Sequence, residues 1–374
     1  MKFKITPALF LTLGLTLGLS GCSSMPTKKE VLLFKMENPP VIGETLSKQK
    51  IYLGGLSGLE FIEKKDDVLL FQTLTDRGPN GELVDGERTF LLPEFSPSIV
   101  KLKAHLSTKE LVVDSIIPLK NKKNEPMTGL PHNRQYENPI DVFGIHYSVD
   151  ANGLDSEAIV SDGEGGFWLA EEYGPSLLHF NNNGQLIKRL SPVSELPRLY
   201  SLKKVNRGFE AIARKGNRLW AILQSPLPTQ VVDDKKQSRV IEIDLESSKI
   251  TAEYFYPFEG DNDKIGDAVA IDDNHLLVLE QNGKLGDKSS KLIYKVKLGA
   301  SDETLTKKLV VDLKDTEFNQ YEKIEGLALV DSTTIALVLD NDFEISGLTD
   351  RKTGITPTSP LKNQLLLIKL SEKL

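Results

Sequence analysis

Five short segments of this chain each set a carboxylate behind a turn-prone residue, follow it with an apolar run, and close the next apolar run with polar groups. The leading acids are Glu60, Glu157, Glu210, Asp267 and Glu325. The closing positions are Asp76, Glu171 with Glu172, Gln224, Glu280, and Asp340 with Asp342. The leading acids recur at intervals of 97, 53, 57 and 58 residues. Carboxylates brought together in this way can ligate a hard cation or move a proton. They also repel: two of them about 8 Å apart cost roughly 2 kcal/mol at an effective dielectric near 20. Such a cluster calls for cations. Arg77, Arg207 and Lys323 lie close by in sequence, and a bound Ca²⁺ would do more. The expected metal ligands are Glu157, Glu210, Asp267, Glu325, Asp340 and Asp342. Glu171 or Glu172 is the expected general base, with Asp76 beside it and Arg77 gripping an anionic substrate group through two hydrogen bonds. Glu60, Glu280, Lys323 and Arg207 are further candidates. A purely structural role competes for the leading acids, because each could latch one element to the backbone N–H groups of the next. The clusters "TDRGPN", "AEEYGP" and "LDNDF" suit that role poorly, since acids beside Gly or Pro at a strand end make a ligand loop.

These positions can meet only if their segments are equivalent elements around one centre. "GLSGLEFIEKKDDVLLFQTLTDRGPN", "GLDSEAIVSDGEGGFWLAEEYGP", "NRGFEAIARKGNRLWAILQSPL", "KIGDAVAIDDNHLLVLEQNG" and "KIEGLALVDSTTIALVLDNDF" each read as a β-hairpin. Two more strand-like runs follow each of the first four. Repeated sets of four antiparallel strands are the signature of a β-propeller, whose inner strands line a central channel. The expected fold is therefore all-β, a propeller of four-stranded antiparallel blades. Five repeats are readable; six blades is the alternative, because the 97-residue interval has room for one more. Residues 121–153 carry three prolines and little alternation, and read as an insertion covering one face. The fifth hairpin is followed only by "NQLLLIKL", so the N-terminal run "EVLLFKM" is expected to supply its missing outer strand. "SELPRLYSLKKV" reads as a short helical connection. Residues 31–374 form one domain on this reading.

The formal charge is −7, which argues against nucleic acid as a partner. Lys2 and Lys4 precede an apolar stretch, Ala8 to Leu19, that is short for a membrane span. "LSGC" then resembles the bacterial lipobox, which implies that residues 1–21 are removed and that Cys22 carries a lipid, with residues 22–30 as a tether. Cys22 is the single cysteine, so no disulfide forms within the chain. Ser23 after it favours the outer membrane by resemblance to sorted lipoproteins. The body is expected on the periplasmic or outer side of an envelope, as a monomer.

Other chemistry is weakly signalled. "GGLSGLE" around Ser57 lacks the spacing of a nucleophile elbow, and zinc-protease or cysteine-based zinc patterns are absent. His179 and His275 lie in strand-like runs and are expected to pack; His132 and His146 fall in the insertion, within reach of the mouth. Trp168 and Trp220 are expected in blade cores.

Taken together, "GGLSGLE", "LTDRGPN", "LDSEAIV", "WLAEEYGPSLLHF", "RGFEAIA", "LVLEQNG", "KIEGLAL" and "LDNDF" resemble the bacterial phytase-like domain, also described as esterase-like activity of phytase. The resemblance runs from about Lys48 to Leu370. It implies a propeller-type domain in an exported protein that hydrolyses phosphate or other esters of a small anionic substrate. One departure is Asp267, where the other repeats have Glu. The ring is also similar to calcium-dependent lactonases of the gluconolactonase type, which hold a metal at a propeller axis. A ligand-binding envelope protein without catalysis is the third reading.

Overall fold

The computed structural model describes residues 30–134, 137–229 and 236–374; the lipobox and Cys22 lie outside the described residues. Each of the five hairpins forms the first two strands of a four-stranded antiparallel sheet. Blade 1 comprises Leu56–Lys65, Val68–Thr75, Ser98–His105 and Leu111–Pro118. Blade 2 comprises Ser156–Ser161, Phe167–Glu171, Ser176–Phe180 and Leu186–Leu190. Blade 3 comprises Phe209–Lys215, Arg218–Leu223, Gln237–Asp244 and Lys249–Pro257. Blade 4 comprises Lys264–Asp272, His275–Gln281, Lys291–Lys297 and Thr306–Asp312. Blade 5 is built from Ile324–Asp331, Thr334–Leu339 and Gln364–Lys369, with Val31–Lys35 as its outer strand. Val31 pairs with Ile368 and Lys35 with Gln364, so the N-terminal run closes the ring as its sequence called for. The first strands neighbour one another in chain order, and that of blade 5 returns to that of blade 1. The ring has five blades, and there is no sixth four-stranded sheet among the described residues.

Burial follows position in the blade. Phe167–Glu171, a second strand, is buried throughout, whereas the outer strand Leu111–Pro118 is largely open. A strand covered on both faces by neighbouring blades reads as a continuous apolar run; one at the rim does not. Five hydrophobic clusters lie one at each contact between consecutive blades, and a sixth, Ile51, Leu91, Val142, Phe343 and Ile345, lies outside the blades. Trp220 lies between blades 3 and 4, and Trp168 between blades 2 and 3.

The long interval between Glu60 and Glu157 holds a small sheet in place of a blade, two of its strands inserted between the second and third strands of blade 1 and one lying between blades 1 and 2. Asn80–Val84 and Glu87–Phe90 pair antiparallel, and Asn138–Ile140 joins the latter in parallel. The surrounding segment packs on the end of the ring where the first strands begin. Leu154 N–H donates to Thr128 O at 2.8 Å, and Tyr173 OH donates to Gly129 O at 2.8 Å. Between blades 2 and 3 the chain makes one turn of 3₁₀ helix, Arg198–Leu202.

Candidate functional site

A β-bulge sits near the start of every first strand. Pairing jumps from Ser156 to Ala158, from Phe209 to Ala211 and from Ile324 to Gly326. The residues skipped are Glu157, Glu210 and Glu325. A bulge adds one residue and re-aims its side chain, and here it delivers three glutamates to one region. In blades 1 and 4 the skipped residues are Gly58 and Gly266. Glu60 and Asp267 therefore lie deeper in their strands, off the shared register. Asp267 accepts from Leu327 N–H of blade 5 and from Ala268 N–H, both at 2.7 Å. Glu60 accepts from Ser161 N–H and Oγ of blade 2 at 2.8 Å and from Gln72 at 2.5 Å. Both are latches between blades. The expected convergence of five acids is corrected to three glutamates, because the bulge residue is Gly58 in blade 1 and Gly266 in blade 4, which sets Glu60 two residues and Asp267 one residue farther along their strands.

The second strands end with Glu172 and Asp340 at matching places. Asp155 completes the group, two residues before Glu157. Carboxylate oxygens of Asp155, Glu157 and Glu172 all lie within 4.8 Å of one another, and all three residues are buried. At that separation each ionised pair repels by about 3.5 kcal/mol at a dielectric near 20. Burial, then neighbouring carboxylates, push Glu157, Glu210 and Glu325 well above the usual carboxylate range. Glu172 is raised to about 7 by burial and Asp155, against the pull of Arg77, Arg207 and Lys203. Glu210 Oε2 accepts no hydrogen bond, and neither does Asp155 Oδ2, whose nearest cation is Arg77 Nη1 at 3.5 Å. Oxygens sharing one Ca²⁺ at about 2.4 Å stand no more than about 4.8 Å apart, so the donor set fits a hard divalent cation. Asp155 was not among the sequence candidates. Its signal was the "DSE" spacing, which sets two acids on one side of a strand start.

The opposite half of the mouth has its own cation. Lys323 Nζ lies 2.7 Å from Asp340 Oδ2 and 2.5 Å from Asp342 Oδ1. Asp342, Phe343 and Glu344 take φ values of 48, 55 and 61° in succession, a left-handed turn that costs roughly 1–2 kcal/mol per residue. The Phe343 backbone lies against Gly54, where a Cβ would stand 2.4 Å from Phe343 Cα, and the Phe343 ring fills the space over Gly55. Asn341 Oδ1 accepts from Gly55 N–H at 3.2 Å. Asp76 joins this half, raised by burial and by Asp340 and Asp155. Lys323 thus neutralises one side of the mouth; on the other, Arg77 stands 3.5 Å from Asp155 and is shared with Glu137.

Arg77 is held rather than free. Its Nη1 donates to Glu137 at 2.8 Å and to Tyr173 OH at 3.4 Å, and Arg88 Nε donates to the other Glu137 oxygen at 2.5 Å. The expected two-bond grip on a substrate is replaced by a fixed positive charge facing Asp155 and Glu172. Arg207 donates to Gln224. Glu171 is fully engaged locally: Tyr173 N–H, Gly174 N–H and Ser176 Oγ donate to it at 2.9, 2.8 and 3.1 Å. It shapes the turn that carries Glu172 and is no proton acceptor for a substrate. Glu280 points into the contact between blades 3 and 4, with Tyr256 OH and Lys307 Nζ both at 2.6 Å. Gln281 takes the mouth position there and latches to Ile324 of blade 5 at 2.9 and 3.2 Å. His132 bonds Gly153 O at 2.7 Å and stands against Tyr173. His146 stands near Glu87 at 3.4 Å, half-exposed. His179 stacks on Trp168.

The fold and this mouth define a five-bladed propeller with a carboxylate-lined opening. A family model described as "Phytase-like: Esterase-like activity of phytase" matches residues 51–343, and the chain belongs to that family. An "Uncharacterized secreted protein" of Arthroderma benhamiae is 29% identical over 134 residues, 27% of this chain and 26% of that protein. The chain thus matches about a quarter of that relative's length. Among solved structures, an α-L-arabinofuranosidase of Clostridium thermocellum is 9% identical over 76% of this chain and 81% of that one, with a TM-score of 0.43. The aldose sugar dehydrogenase of Streptomyces coelicolor is 10% identical over 92% and 99%, with a TM-score of 0.38. Nothing about activity follows from likenesses this distant.

Proposed function

We propose that the mouth is the active site of a metal-assisted ester hydrolase acting on small anionic esters, phosphate monoesters foremost. The observation that carries this reading is the meeting of Asp155, Glu157 and Glu172 within 4.8 Å, with Asp155 Oδ2 and Glu210 Oε2 buried and lacking hydrogen bonds. Asp155 and Glu157 would hold the cation with Glu172 beside it, Ca²⁺ being suited to an all-oxygen set. Such an ion supplies Lewis acidity toward an ester oxygen and lowers the pKa of a nearby water. Glu172 takes the water's proton, standing within 4.8 Å of Asp155 and Glu157. Arg77, fixed by Glu137 and Tyr173, orients the substrate's anionic group, with Arg207 and Lys323 on the rim. The test is turnover of phosphomonoesters, phytate, carboxylic esters and lactones, with Ca²⁺ and with EDTA. Loss of phosphomonoester turnover in EDTA and its return with Ca²⁺ are expected. Turnover of lactones alone would transfer the site to lactonase chemistry. No turnover by the folded, Ca²⁺-supplied protein would refute the enzyme reading.

The chain is proposed to be exported and anchored through Cys22, the outer membrane being the favoured site. The "LSGC" stretch supports this, as does the relative described as secreted. Labelling with radioactive palmitate should mark the wild type and not Cys22→Ser; label on neither refutes the anchor.

A further inference from the structure

The end of the ring opposite the mouth carries a second charged feature. Val31 pairs with Ile368 at that end, and Lys369 N–H donates to Glu30 O at 2.9 Å. The first described residue therefore stands beside the C-terminal strand, away from the carboxylates. Next to it, a groove of about 610 Å³ opens between the outer edge of blade 4 and the C-terminal tail, lined by Lys295, Lys297, Lys308, Lys373, Leu370 and Leu374. Lys297, Lys308, Lys369 and Lys373 are exposed. The acid facing them in the groove is Glu372, itself open to solvent and 3.8 Å from Lys308. Lys307 also faces the groove, but its ammonium is paired with Glu280. Lys28 and Lys29 stand in the sequence directly before Glu30. In a chain of net charge −7, the groove lining, with Glu372 its one acid, is a local reversal of sign; Asp331 faces Lys369 beside it, and Asp272 bonds His275 at its edge.

We propose that this corner of blades 4 and 5 rests on an anionic phospholipid surface, with the acidic mouth turned away from it. Two observations select that occupant. The lysines form an open, shallow field, suited to many phosphate headgroups rather than to one enclosed anion. The chain outside the described residues also leaves from this corner, and the eight residues from Cys22 to Glu30 reach no more than about 28 Å. The surface thus rests on the anchor reading for its delivery to the bilayer. The screening length in physiological salt is about 8 Å, so the lysines act only when the face lies close to the lipid. Esters embedded in that bilayer are then out of reach of the mouth, which narrows the proposed substrates to water-soluble ones.

The test uses the mature chain with Cys22→Ser, so that binding owes nothing to a lipid on the protein. Co-sedimentation is measured with vesicles of phosphatidylcholine alone and of phosphatidylcholine containing phosphatidylglycerol. Binding to the anionic vesicles alone is expected, and it should vanish at high salt. Lys297→Glu, Lys308→Glu and Lys373→Glu together should weaken it by at least about tenfold, with an unchanged Tm showing that the fold is intact. Equal binding to both vesicles, or a triple variant that binds as the wild type does, overturns the proposal. Retention on a soluble polyanion such as heparin without vesicle binding overturns it too. Failure of palmitate labelling would refute only the anchor, which this assay does not use.

Discussion

The ion-free protein should lose stability as pH rises from 5 to 8. Glu172 shifts from 4.5 to about 7 in the fold. A carboxylate whose pKa is raised on folding is more comfortable protonated. Its contribution is fully present below about pH 4.5 and is lost as pH rises through about 7. A shift of about 2.5 units corresponds to roughly 3 kcal/mol. Glu157, Glu210 and Glu325 shift in the same direction. Glu137, Asp162 and Glu242 are lowered, so they act in acid, below this window. Lys291, lowered to about 8, acts above it. A loss of about 3 kcal/mol in a domain of this size moves Tm down by about 4 °C. Thermal unfolding in EDTA, followed by circular dichroism at half-unit steps of pH, measures it. Saturating Ca²⁺ should restore most of the loss at pH 8, since binding to the native state alone is stabilising. Glu172→Gln should flatten the pH profile. A Tm in EDTA that is level or rises between pH 5 and 8 would refute the charge arrangement described here.

Four further outcomes follow from the same geometry. Glu172→Gln should lower kcat on the right substrate by about 10² or more in saturating Ca²⁺, without lowering Tm. Glu171→Gln should instead cost about 2 kcal/mol of stability, since it replaces a charged acceptor of two backbone N–H bonds. Glu137→Gln should loosen Arg77 and Arg88 together, raising KM for an anionic ester more than it lowers kcat. An unchanged KM would remove Arg77 from substrate binding. Deleting residues 31–35 strips blade 5 of its outer strand and exposes the edge of Gln364–Lys369. The variant should aggregate or unfold well below the wild type, as monitored by light scattering.

Much of the architecture was legible because a propeller writes itself along the chain. Five apolar hairpins, two further strands after each of the first four, and an unpaired run at 31–35 were enough for five blades and their closure. The site was legible only in outline. The "EEYG" cluster announced an acidic turn. Which of its acids faces the mouth depends on Ser176 and two N–H groups turning toward Glu171. Glu137 was passed over because it lies 60 residues from Arg77, the partner it clamps.

The sequence by itself determined the element types and their order, since those rest on local periodicity and turn chemistry. It also determined that acids would gather at one end of the ring. Only the tertiary structure decided which ones. The bulges put Glu157, Glu210 and Glu325 on one register and left Glu60 and Asp267 as latches. The physical reason is the place of the bulge residue. One extra residue re-aims a side chain, and the pairing that sets that residue involves another strand.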